Sequence, residues 1–506
     1  MSERINSLTS GRVLARSAAW NFGGMAAPLL VAIYAIPVLI EGLGEERFGV
    51  LALIWMGIGY FSVFDMGLGR ALTKLVSERL GEEDYEDLGR LIWTALTVLA
   101  GLGITGGVLL FFLAEPLITW VLNVPPGIQT EAITAFRVLA AGLPAVIVTA
   151  ALIGLLQAHQ RFATLSGIRI PLGVLTFAGP LITLQFTPSL VWATIALLVS
   201  RSLALVAYFI AAASIQKELG CPSSPRRIHM APLFRFGGWL TVTRIIGPLM
   251  TYMDRFFVGA VLSMAAVTYY VTPYEVLSRL QMIPQSVMGV LFPAMTAAHA
   301  GERDRLPHLF GTTAWVVGFL MLPTAGLFFL LAPEALELWL GKEFRESSTL
   351  VVQWLALGWM INTLARPAVT VLQSAGRPDL VAKAHVAELV PYLLLLWSLT
   401  QAYGIAGTAA ASTLRVLADT LILNEFAGRR IPEIQSKIRA IQLGLAAAIF
   451  ALAVGWLLEP LSLRLAMSFL LIVVAGFALW PVAMRLFPNR NGIFNKVAGI
   501  LPKPKV

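Results

Sequence analysis

The chain has 506 residues, of which 58% are hydrophobic and 13% charged, with a net charge of +9 and a mean hydropathy of +0.78. A soluble chain carries about one charged residue in four, so this composition belongs to a membrane protein and excludes a soluble multidomain reading. The single cysteine, Cys221, excludes a disulfide framework; the five histidines are scattered, and no HExxH run or phosphate-binding loop occurs.

Taken in chain order, apolar stretches bounded by charge, Gly or Pro predict fourteen membrane-spanning helices. They lie at about 17–40, 48–68, 91–113, 132–156, 162–184, 190–212, 233–254, 266–290, 310–332, 349–374, 380–399, 404–426, 440–458 and 464–486. The N-terminal arm MSERINSLTSGRVLAR is basic and lacks a small-residue cleavage site, so an uncleaved first span is expected. With this count, 25 of the 37 basic residues fall on one side of the membrane and 5 on the other: Arg47, Arg255, Lys342, Arg345 and Arg464. Basic segments stay in the cytoplasm, so both termini are expected there, in a bacterial inner membrane. The +9 charge is thus a topology signal, and no nucleic-acid partner is expected. Outer loops are short, the longest near 114–131 and 333–348, which leaves no room for an extracytoplasmic catalytic domain. The chain is expected not to be an enzyme, and no metal site or bound cofactor is expected.

An internal repeat accompanies the spans. LLFFLAEPLITW at 109–120 is similar to LFFLLAPEALELW at 327–339, and LLQAHQRF at 155–162 to VLQSAGRP at 371–378, with offsets near 216. Asn21-Phe22-Gly23-Gly24 pairs with Arg235-Phe236-Gly237-Gly238, and Arg201 with Arg415. An offset of six helices, an even number, predicts two parallel six-helix lobes around a central cavity, with two C-terminal helices appended. The lobes are placed at 1–215 and 216–430, followed by helices 13 and 14 and a basic tail at 431–506.

Seven basic residues remain inside the spans, all arginine: Arg137, Arg169, Arg201, Arg244, Arg279, Arg366 and Arg415. A guanidinium at mid-bilayer costs about 2.5 kcal/mol or more unless it faces a cavity or partner. Its fork of donors suits phosphate oxygens, so an anionic cargo is the economical inference. Arg137 and Arg169 lie near span ends and can snorkel. Arg415 has Asp419 one turn on as a pairing partner, Arg201 suits helix packing as well as substrate, and Arg366 precedes Pro367. Arg244 and Arg279 lie deepest and are favoured as substrate contacts, although Glu275 stands four residues from Arg279 on one helix face. Five acids share the spans: Asp65, Asp254, Glu275, Glu388 and Asp419. Each could pair with an arginine, or hold H+ or Na+ as a coupling ion.

The segment LGEERFGVLALIWMGIGYFSVFDMGLGRALTKLVSE at 43–78 resembles the start of bacterial polysaccharide flippases, within the multidrug/oligosaccharidyl-lipid/polysaccharide exporter superfamily. Gly44, Phe48-Gly49 and Asp65-Met66-Gly67-Leu68-Gly69-Arg70 carry the resemblance, as does Tyr252-Met253-Asp254-Arg255-Phe256-Phe257-Val258-Gly259. The resemblance implies a secondary transporter that moves an undecaprenyl-pyrophosphate-linked oligosaccharide between leaflets by alternating access. It further implies partners in a polysaccharide polymerase and a chain-length regulator. The family cavity is lined by helices 1, 2, 7 and 8, which here carry Arg16, Asn21, Asp65, Arg70, Arg244, Asp254, Glu275 and Arg279. Arginines would neutralise the pyrophosphate, and Asn21, Tyr60, Tyr252, Tyr269 and Tyr270 could meet the sugar. Asp65 and Arg70 form a gate or a helix cap, and Gly67 and Gly69 allow close packing there. A cation-coupled multidrug exporter of the same superfamily is the nearest rival, disfavoured by seven arginines against five acids. A non-transporting scaffold of an envelope-synthesis complex is the rival from another class.

Overall fold

The computed structural model describes residues 11–61, 65, 67–82, 87–216, 219, 230, 250, 252–281, 284, 285, 287, 288, 295, 305–457 and 460–486, and the side chains of these apart from 11–26, 61, 81 and 480–486. Among the described residues the regular structure is helical. In chain order the helices are α1 (Gly11–Leu43), α2 (Glu45–Phe61), α3 (Leu68–Gly81), α4 (Leu88–Pro116), α5 (Pro126–Ala158), α6 (Phe162–Leu184) and α7 (Leu190–Ala213). There follow α8 at 252–261, α9 (Met264–Ser278), α10 (Leu306–Leu330), α11 (Ala332–Leu340), α12 (Lys342–Ser374), α13 (Pro378–Arg430), α14 (Gln435–Trp456) and α15 (Leu461–Leu486). Nine of the described helices are long and apolar enough to cross a bilayer. This is a multi-pass, all-α membrane protein.

Most of the expected spans match these helices; the second, 48–68, is corrected, since its helix ends at Phe61 and Asp65 and Gly67 lie in a turn before α3, and the seventh, 233–254, falls almost wholly outside the described residues. At 1.5 Å per residue the 53 residues of α13 would run ~80 Å, far beyond a ~30 Å hydrocarbon core. Gly404 breaks it with φ 59° and ψ −141°, a conformation open to glycine, and yields the two successive helices that the spans 380–399 and 404–426 anticipate. Between α4 and α5 a single π-helical turn, Leu117–Val121, occupies part of the expected loop 114–131, and the expected loop 333–348 is mostly helical, in α11 and the start of α12.

The repeat is written in local geometry. α5 and α12 each have 33 residues, and both start and end exactly one repeat, 216 residues, apart. Each closes with the same pair of backbone bonds: Arg161 N–H to Leu156 O (2.9 Å) and Gln160 N–H to Gln157 O (2.9 Å) in one, Arg377 N–H to Leu372 O (2.9 Å) and Gly376 N–H to Gln373 O (3.0 Å) in the other. This is the Schellman closure, which needs a left-handed residue after the helix. Gln160 (φ 56°) and Gly376 (φ 71°) fill that place.

By packing, the chain forms two compact units: Met1–Val276 with Leu389–Thr408, and Leu277–Glu388 with Ala409–Val506. In the first, Leu72, Leu91, Ile147, Leu155 and Tyr208 form a core of α3, α4, α5 and α7. α3 and α5 touch backbone to backbone, since a Cβ on Gly154 would stand 2.4 Å from Gly69 O. Glu131 of α5 ties three parts together: its carboxylate pairs with Arg47 (2.7 Å) and accepts bonds from Ser189 Oγ (3.1 Å) and the first amide of α7, Leu190 N–H (2.7 Å). An anionic acceptor there satisfies an otherwise unpaired helix-end donor and complements the helix dipole. The α8–α9 hairpin joins this unit through Asn123, whose side chain donates to Ala260 O (2.9 Å) and Leu262 O (3.3 Å), and through Thr268 Oγ on Glu45 O (2.6 Å). In the second unit, one apolar cluster holds the Leu306 end of α10 to α12 and α13, and another joins α10, α12, α14 and α15.

Candidate functional site

Two buried polar clusters stand out, one in each unit. The first is built on the α8–α9 hairpin. Arg255 is 2% exposed, the largest fully buried side chain described, so its placement as an outer-loop cation is corrected. Its guanidinium carbon lies 3.7 Å from the Tyr274 ring centroid and 5.0 Å from that of Tyr252. Ring faces are attractive to a cation and can replace water around it. Asp254 Oδ1 lies 4.0 Å from Arg255 Nε and accepts the Arg255 N–H (2.9 Å), while Oδ2 accepts the Tyr270 hydroxyl (2.7 Å). Tyr60 of α2 meets Tyr252 edge to face at 6.2 Å, and Tyr270 stacks near Tyr274 at 6.4 Å. Glu275 contributes a second negative charge toward Arg255. Tyr269 donates its hydroxyl to the Glu45 carboxylate. Four residues singled out from sequence, Tyr252, Asp254, Tyr270 and Glu275, thus stand around Arg255, which was not a site candidate, and a fifth, Tyr60, packs on Tyr252. An arginine one residue beyond a predicted span reads as a loop cation, and the partner that encloses it is nineteen residues further on.

The second cluster lies on α12 and α13. Glu388 is 6% exposed and Asp419 5%. Asp419, Arg415 and His385 are the charged groups around Glu388, and Arg366 faces Asp419. His385 Nε2 is 3.3 Å from Asp419 Oδ1. Neither Glu388 oxygen, nor the amide of the fully buried Asn424, has a hydrogen-bond partner among the described residues.

Other site residues are placed as follows. Asp65 is buried and accepts the Gly67 N–H at 2.8 Å, closing the turn that precedes α3; Gly67 takes φ 69°. Arg70 is on the exposed face of α3. Arg279 opens a 3-10 turn, Arg279–Gln281, just past the end of α9, and is half-buried. Arg137 pairs with Glu115 at 3.2 Å and covers the Phe111 ring at 5.1 Å; Arg201 reaches Thr176 Oγ at 3.5 Å. Arg16 and Asn21 lie on α1, their side chains outside the described part, and Arg244 lies outside the described residues altogether.

Residues 42–349 match the sequence profile of a family described as polysaccharide biosynthesis protein. The chain belongs to that family. Among its relatives, a Shigella flexneri protein named as an O-antigen transporter is 27% identical over 412 residues, 81% of this chain and 96% of the relative. A Haloferax volcanii protein named as a low-salt glycan biosynthesis flippase is 24% identical over 38% of this chain and 40% of its own length. Among solved structures, the lipid II flippase MurJ in an inward closed conformation superposes with a TM-score of 0.70, covering 92% of this chain and 99% of that one at 13% identity. An inward-facing multidrug resistance MATE family transporter of the MOP superfamily gives 0.67 over 81% of this chain and 99% of its own, at 14% identity. These likenesses establish the transporter fold, and the family profile spans both buried clusters' opening elements, from α2 to the start of α12.

Proposed function

We propose that this chain is a flippase: a secondary transporter that carries a polyprenyl-pyrophosphate-linked oligosaccharide from the cytoplasmic to the periplasmic leaflet for surface polysaccharide synthesis. The observation that carries the reading is the family match over 42–349, on a chain of membrane-length apolar helices. The charge inventory supports it. A pyrophosphate cannot cross ~30 Å of hydrocarbon unaccompanied, and this chain's intramembrane cations are all arginines, which stay charged and grip phosphate in a fork. In this reading Arg244 and Arg279 hold the pyrophosphate, Arg16, Asn21, Arg70 and Tyr252 contribute to the path of the glycan, and the prenyl chain remains in lipid. Opening to one side at a time keeps the polar path from becoming a leak. The termini lie in the cytoplasm of an inner membrane, no bond of the cargo is made or broken, and a polymerase and a chain-length regulator act on the delivered glycan. Coupling to H+ or Na+ falls to the intramembrane acids Asp65, Asp254, Glu275, Glu388 and Asp419, with Glu388 and Asp419 the first candidates to share a proton.

The test uses a strain that depends on this chain for surface glycan. Arg279→Ala and Arg244→Ala are expected to lower displayed polysaccharide at least tenfold at unchanged membrane levels of the protein, with Arg279→Lys retaining an intermediate level. Normal display by both alanine variants sinks the pyrophosphate-holding role.

A further inference from the structure

Within the second unit, α10, α12 and α14 leave a cavity of about 410 Å³ between them. Its walls are apolar; Gly311 and Gly318 on α10 pack against the side chains of Lys437 and Leu364, while Gly444 on α14 leaves open space. Met360 and Leu364 of α12 floor it. A Cβ on Gly444 would meet nothing within 4 Å. Trp315 and Phe319, with ring centroids 4.3 Å apart, line it, and Trp315 is 48% exposed. From His308 to Leu322 the α10 wall runs ~21 Å, and from Lys437 to Ala448 the α14 wall runs ~17 Å, at 1.5 Å per residue. One leaflet of a bilayer is about half of a ~30 Å core, so the groove is as long as one acyl chain is deep.

Only one end is polar. His308 and Lys437 lie there, both exposed, at the starts of α10 and α14. Among the described residues neither has a hydrogen bond or an ion pair, although acids are found on neighbouring turns. Those helix starts follow the basic segments Arg303-Arg305 and Arg429-Arg430, which the charge distribution assigns to the cytoplasmic face. An apolar slot one leaflet deep, ending at the headgroup level in the unpaired ammonium of Lys437 and the imidazole of His308, matches one chemistry. We infer that this groove is a binding site for an anionic glycerophospholipid of the cytoplasmic leaflet, with an acyl chain between α10 and α14 and its phosphate at Lys437 and His308. Basic recesses between transmembrane helices on that face select anionic headgroups over zwitterionic ones. A long prenyl chain of the kind the cargo carries would outrun the groove, so the bulk phospholipid is the occupant. Bound there, it would hold α14 to α10 through lipid where protein side chains are absent.

The experiment uses the full chain reconstituted in vesicles. The fluorescence of Trp315, isolated as the difference between the wild type and Trp315→Phe, is read in phosphatidylglycerol with brominated acyl chains and in phosphatidylcholine carrying the same chains. The expected result is stronger quenching by the anionic lipid, a preference of about fivefold for the one fixed cation, Lys437. Lys437→Gln with His308→Gln is expected to abolish the preference. Gly444→Leu, which fills open space and suits a helix, is expected to remove the quenching by both lipids. Equal quenching by the two lipids in the wild type, a preference that survives the double substitution, or quenching that survives Gly444→Leu would each overturn the assignment. So would displacement of the brominated phospholipid by an equimolar prenyl phosphate.

Discussion

At the scale of single residues, the chemistry turns on how a charge is kept in an apolar surrounding. Arg255 is enclosed by two tyrosine rings with Asp254 beside it. Removing a guanidinium there leaves a void and an acid without its counter-charge, which together destabilise by about 3–5 kcal/mol. Arg255→Ala is therefore expected to lower the unfolding temperature of the purified protein sharply. Arg255→Lys is expected to recover only part of the loss, because an ammonium lacks the flat surface that lies on Tyr274. Tyr274→Phe, which keeps a ring face, is expected to be much milder. His159 is the contrasting case outside the spans. Burial, with Arg161 nearby, holds its imidazole below the ordinary pKa. Its Nε2 meets Gln216 Oε1 at 3.1 Å, and its buried Nδ1 has no partner among the described residues, so protonation would add a donor with none of them to receive it. A histidine whose pKa is lowered by folding stabilises fully above its unfolded value, about 6.5, and that contribution is lost as pH falls below it. Thermal unfolding from pH 7.5 to 5.5 is expected to show the wild type losing more stability than His159→Gln. Parallel losses would remove the role.

At the scale of elements, much was legible and the reason is simple punctuation. α6 and α7 fall within a residue of the expected 162–184 and 190–212, because Gln160-Arg161 and Thr187-Pro188-Ser189 interrupt long apolar runs. α12 begins seven residues ahead of its expected span, since Lys342–Ser348 is polar yet helical and hydropathy does not register helix beyond the membrane. The Arg255 enclosure was not legible, because cation–ring contact depends on how two helices of a hairpin face each other. The α10–α14 groove was not legible either, as it consists of what glycines leave out. The repeat allows a sharper test of what sequence carries. Gln160 holds the left-handed position that Gly376 holds one repeat later, a conformation costing a side-chain-bearing residue about 1 kcal/mol. Gln160→Gly is therefore expected to stabilise the first unit by up to about 1 kcal/mol, partly offset by the freer unfolded chain. Gly376→Ala is expected to destabilise the second. Opposite shifts in protease resistance of the two units would show that the two closures are equivalent in energy as well as shape.

At the scale of the whole molecule, a flippase must link its change of access to a source of free energy, or run downhill with the cargo gradient. The membrane potential supplies ~2.3 kcal/mol per charge per 100 mV, and a single proton moved with each cycle also draws on the pH difference. In the proposed mechanism the Glu388 and Asp419 pair is the candidate to exchange one proton, because both carboxylates are buried and Arg415, Arg366 and His385 stand around them. In proteoliposomes containing a lipid-linked oligosaccharide, an imposed proton gradient is therefore expected to raise the flipping rate of the wild type. Glu388→Gln and Asp419→Asn are expected to flip at a rate that no longer responds to that gradient, while retaining the slow, cargo-driven exchange. Arg279→Ala is expected to show the converse, a defect at every gradient, because the proposed role of Arg279 is to hold the pyrophosphate. A wild-type rate indifferent to proton gradient, sodium gradient and potential alike would remove coupling from all five intramembrane acids and leave the proposed arginine contacts to account for transport.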